Sequence, residues 1–61
     1  MTIEVFDAAD QQVKKFAGTS EQVMAQLDTY YPWLKRYEFN GLQDMISHLS
    51  RQQMFFVKVY Q

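Results

Sequence analysis

The dipeptide Tyr31-Pro32 limits what this 61-residue chain can fold into more than any other feature. Proline has no N–H to give, and its ring drives the preceding residue out of the α region, so a helix arriving from Ser20 must stop at Tyr31. The break lies inside Tyr30–Phe39, a segment that holds half of the aromatic residues of the chain. Beyond it, Trp33, Tyr37 and Phe39, with Lys35 among them, alternate with Leu34, Arg36 and Glu38. A period of two predicts a strand.

Around that hinge the other elements declare themselves in turn. Ile3 to Phe6 alternates, the polar cluster Asp7-Ala8-Ala9-Asp10-Gln11 interrupts it, and Val13-Lys14-Lys15-Phe16 resumes, which reads as a hairpin. A loop of Ala8 to Gln11 sets Ile3 opposite Phe16, Glu4 opposite Lys15, Val5 opposite Lys14 and Phe6 opposite Val13. One residue more or less in the loop would turn the second strand over. Gly18-Thr19-Ser20-Glu21-Gln22 is a helix start, with Thr19 or Ser20 as cap and Gln22 placed to reach back. Val23, Met24, Leu27 and Tyr30 or Tyr31 then recur at helical spacing to about Tyr30. Asn40-Gly41-Leu42-Gln43 repeats the capping pattern, with Asn40 as cap and Gln43 reciprocating, and a second helix bearing Leu42, Met45, Ile46 and Leu49 runs to about Ser50. Phe55, Val57 and Val59 alternate with Phe56, Lys58 and Tyr60 in a β-branched and aromatic run that predicts a final, central strand.

The order is therefore β-β-α-β-α-β in a single compact domain over residues 1–61. Two helices with one apolar stripe each fit one face of a four-stranded sheet, giving a two-layer α+β sandwich. The hairpin requires an antiparallel pair and the helical crossovers admit parallel neighbours, so a mixed sheet is expected. A domain this short buries only about 60% of the surface its unfolded chain exposes. With no cysteine there is no disulfide or thiolate site, so stability rests on packing large aromatics and on methionines such as Met24, Met45 and Met54 filling gaps.

Six Lys and Arg against seven Asp and Glu leave a net charge of −1. That is neither the basic field of a duplex-DNA binder nor the acidity of a nucleic-acid mimic. The chain enters its first strand pattern without a charged and apolar leader, and no apolar run is long enough to span a bilayer, so a cytoplasmic protein without a membrane partner is expected. No phosphate loop, Cys/His cluster, nucleophile elbow or acidic metal loop is present, so no cofactor, no metal and no catalysis are expected. Asp44 and His48 are spaced to meet on the second helix, but a solvated helix face accounts for them, as aggregation-blocking edge charges account for Lys14-Lys15.

What remains is a sheet face without helices, where Phe6, Phe56, Lys58 and Tyr60 fall out of phase with the core, and the aromatic corner of Tyr30, Trp33 and Arg36. These residues are the candidate site. The expected function is a small non-catalytic interaction module, an adaptor, regulator or inhibitor that binds a protein partner or a second copy of itself. Single-stranded nucleic-acid binding is the alternative, since aromatics interleaved with cations can stack bases. A small accessory subunit of an enzyme complex is the third reading.

Overall fold

In the computed structural model, which describes residues 1–60, strand β1 (Thr2–Asp7) pairs with β2 (Gln12–Ala17) in the register read from the loop length: Ile3 with Phe16, Glu4 with Lys15, Val5 with Lys14 and Phe6 with Val13. Gln11, at φ 55°, takes the left-handed conformation that turns the chain back, and its N–H bonds to Asp7 O at 2.9 Å. Helix α1 (Ser20–Tyr30) begins with the expected capping box. The Thr19 hydroxyl accepts from Gln22 N–H at 3.2 Å, while the Gln22 side chain accepts from Thr19 N–H at 2.9 Å.

The segment after Pro32 corrects the sequence reading. Pro32–Arg36 is a 3-10 helix, not a strand. Leu34 N–H bonds to Tyr31 O at 2.9 Å and Tyr37 N–H to Leu34 O at 3.1 Å, so the operative period is three rather than two. Tyr31 and Leu34 thereby share one side and are both buried. Proline is well suited to the first helical position, where its fixed φ is already correct and its absent N–H would have had no partner. Leu34, which alternation had aligned with Arg36 and Glu38, is a core residue instead.

Helix α2 (Leu42–Arg51) is capped differently from expectation. Gly41, not Asn40, is the N-cap, at φ 157°, a conformation that residues with a Cβ rarely adopt, and no side chain caps it. Asp44, rather than Gln43, reaches back, its Oδ2 accepting from Asn40 N–H at 3.1 Å. Met54 leaves this helix at φ 62° and is 77% exposed, so it is a reversal residue and not a core filler; Met45 is buried and Met24 half-buried.

Strand β3 (Phe56–Tyr60) runs antiparallel to β1, with Val57 opposite Val5 and Val59 opposite Ile3. The sheet therefore has three strands in the order β2-β1-β3, all antiparallel. This overturns the four-stranded mixed sheet. Without a strand at Trp33 the first strand is central, and the last is an edge strand rather than the centre. The class is still α+β, with both helices over one face, where Ile3, Val5 and Phe16 meet Val23, Leu27, Tyr31, Leu34, Leu42, Met45, Ile46 and Leu49 in one core. No helix among the described residues is long and apolar enough to cross a membrane.

Candidate interaction surface

Alternation along three paired strands sends every second side chain to the face opposite the helices. The registers arrange these side chains in three rows across the sheet: Ala17, Thr2, Tyr60; then Lys15, Glu4, Lys58; then Val13, Phe6, Phe56. The last row is apolar. Phe6 and Phe56 lie 6.1 Å apart between ring centroids at a tilt of 40°, and Phe56 and Val13 are 69% and 58% exposed. A shallow hollow lined by Glu4, Phe6, Val13, Phe56 and Lys58 joins this row to the charged one.

The charged row is partly self-satisfied. Tyr60 donates its hydroxyl to Glu4 Oε1 at 2.8 Å, and Lys15 Nζ stands 3.6 Å from Glu4 Oε2. The Tyr60 hydrogen bond, helped by Lys15 and Lys58, holds the Glu4 carboxyl below its ordinary pKa; the same bond raises that of Tyr60. Glu4 is thus an anion in the middle of the face at neutral pH. Lys58 has no carboxylate within ion-pair reach among the described residues.

Of the candidate residues, Phe6, Phe56, Lys58 and Tyr60 therefore share one surface, whereas Tyr30, Trp33 and Arg36 lie on the helical layer. Tyr30 meets the core-face Phe16 edge-on at 5.8 Å. Trp33, half-buried, packs at 5.5 Å from Tyr31 and 6.2 Å from Phe55. Arg36 is exposed at the end of the 3-10 helix. The corner is thus an aromatic cluster built around buried Tyr31, whose ring also lies 5.5 Å from Phe55. Val13 belongs to the open face and was legible from its place opposite Phe6 in the hairpin.

Lys14 departs from its expected role as a plain edge charge. Opposite Val5 it lies on the helical side, with its side chain only 10% exposed, paired with Asp10 and standing 5.1 Å from the Tyr30 ring centroid and 5.8 Å from that of Tyr31. The Asp10 carboxylate keeps the ammonium protonated above the ordinary lysine range. Burial raises the pKa of Tyr31, and its hydroxyl has no hydrogen-bond partner among the described residues.

His48 departs from expectation too. It is half-buried, with its ring 4.2 Å from Tyr37 and 5.4 Å from Phe39, and its Nε2 lies 3.3 Å from Gln53 Nε2. Asp44, expected to meet it, instead caps Asn40. Among the described residues no three His, Cys, Asp or Glu side chains gather as a metal site. The fold and surface thus define a small two-layer α+β domain with one apolar, partly charged sheet face. Comparison with protein-family models, with curated proteins and with solved structures found no match.

Proposed function

We propose that this protein is a non-catalytic interaction module whose open sheet face receives a protein partner. The exposure of Phe56 beside Phe6 and Val13 carries the proposal, since large side chains in contact with one another but not with the core are characteristic of surfaces that another molecule covers. Lys58, at the margin of this row, favours a partner segment that is apolar and carries a carboxylate. Glu4 weighs against single-stranded nucleic acid. Its fixed negative charge lies between Lys15 and Lys58, where a phosphate backbone would have to run.

The test is a selection of peptides from a random library on the immobilised protein, followed by NMR titration of the selected sequences. Acidic, apolar peptides that shift the amides of Phe6, Val13, Phe56 and Lys58, and that lose binding to Val13→Ser with Phe56→Ser, are the expected result. Shifts confined to the Tyr30, Trp33 and Arg36 corner would overturn the choice of surface. Salt-sensitive binding of oligothymidylate to the open face would overturn the choice of partner.

A further inference from the structure

The two edges of the sheet differ in how they are finished. Gly18 N–H bonds to Met1 O at 3.0 Å and Met1 N to Gly18 O at 3.1 Å, which sets the phase of the ladder. Odd-numbered residues of β1 turn their backbone groups to β2 and even-numbered ones to β3. By the same alternation Val13, Lys15 and Ala17 point theirs off one edge, and Val57 and Val59 off the other. The β2 edge is occupied at Ala17 by a side chain imitating a strand: Gln26 Nε2 donates to Ala17 O at 2.8 Å, and Gln26 Oε1 accepts from Ala17 N–H at 3.3 Å. Lys15 adds an exposed charge there.

The β3 edge carries an exposed charge of its own in Lys58, but among the described residues no side chain occupies its outward backbone groups as Gln26 does on β2. Leu49 O takes the Phe55 N–H at 3.0 Å, and beyond it no proline or bulge interrupts Phe56–Tyr60. The helical layer also thins towards this strand. Ile3 and Val5 on β1 are wholly buried, whereas on the same face Val57 is half-buried and Val59 is 40% exposed. An edge that is apolar on its helical side and carries a single charge between aromatic residues on the other, with unpaired backbone groups between, is a template for another strand that can accommodate that charge.

We propose that β3 pairs antiparallel with β3 of a second copy about a two-fold axis at Val57, forming a continuous six-stranded sheet. Hydrogen bonding restricts the two-fold to registers that oppose outward-pointing residues, and like-charge contact excludes one of these. An axis at Lys58 would set two like charges face to face. Moving it to Val57 opposes the two Val57 backbones, whose outward N–H and C=O groups exchange the central pair of bonds, and places each Lys58 across from the exposed Phe56 ring of the other copy. Val59 then lies beside the half-buried Phe55, whose N–H stays with Leu49 O, so that contact is apolar packing. The ladder runs along the strand edge but engages Phe56 and Lys58 of the open face, so substitution at Val59 tests the pairing and the Val13→Ser with Phe56→Ser variant tests the peptide site.

Sedimentation across a concentration series tests the pairing. The wild type is expected to pass from monomer to dimer. Val59→Pro removes an N–H that points away from β1, so the fold is kept while dimerisation is lost. Val59→Lys, which leaves the backbone intact, should give the same loss if the proline variant fails to fold. Lys15→Pro, on the other edge, should still dimerise. A wild type that is monomeric even at millimolar concentration, or a dimer that survives Val59→Lys, would overturn edge pairing. In this cysteine-free chain Val57→Cys should form an intermolecular disulfide faster than Lys58→Cys or Val59→Cys, because only Val57 faces its own copy. Faster cross-linking at either of the other positions would overturn the register.

Discussion

Tyr60 and Glu4 are far apart in the chain but exchange a hydrogen bond across adjacent strands, and this gives the open face a defined response to pH. Glu4 has a folded pKa below its ordinary value of 4.5, so its contribution is present above that value and is lost as pH falls through the folded one. Tyr60 has a folded pKa above 10.0, so its contribution is present below that value and is lost as pH rises through the folded one. Tyr60→Phe should move the Glu4 titration midpoint upward, towards 4.5, when followed by carboxyl NMR. An unmoved midpoint would remove the hydroxyl as the cause. His48→Ala should cost about 0.5–1.5 kcal/mol, since it loses ring contacts with Tyr37 and Phe39, while exposed Arg51→Ala should stay within about 0.5 kcal/mol; urea unfolding compares them. The spacing of Asp44 and His48 was visible in the sequence, but spacing does not say what approaches from outside the helix. Tyr37 does, and only the 3-10 helix brings it there.

At the scale of elements, legibility followed the locality of the signal. The α1 capping box is complete within Thr19–Gln22, and the hairpin register follows from one loop, so both were readable before any tertiary contact was known. Pro32 was correctly placed as a break, but it has two legitimate uses, ending one helix and starting another, and large side chains alternating over a few residues cannot tell a strand from a turn with a period of three. Burial decided it. Leu34→Ala should therefore cost about 2–5 kcal/mol in denaturant unfolding, the range for emptying a closed core site, against no more than about 0.5 kcal/mol for Arg36→Ala. Equal effects would restore the strand. Gly41→Ala should destabilise by about 1–3 kcal/mol through backbone strain alone, since no atom lies near enough to clash with the added methyl group.

Across the whole molecule, strand order was the least legible property, because it depends on which distant segments meet and local periodicity carries no such information. The Phe55–Tyr60 run resembles a central strand in composition, yet it lies at an edge, and its apolar character serves surface as much as core. If copies pair through it, the thermal midpoint should rise with protein concentration, as mass action requires of any folded state stabilised by association; scanning calorimetry over a dilution series measures this. A constant midpoint would count against pairing. The amide of Gln26 acquires a larger meaning in that setting. It fills the place of a neighbouring strand at Ala17 and so shortens the part of the second edge open to pairing to Val13 and Lys15, the latter an exposed charge. Building blocks with one sticky side end at pairs, whereas those with two grow into fibres, so Gln26 and Lys15 on the second edge would act together to keep a pairing strand compatible with a finite particle.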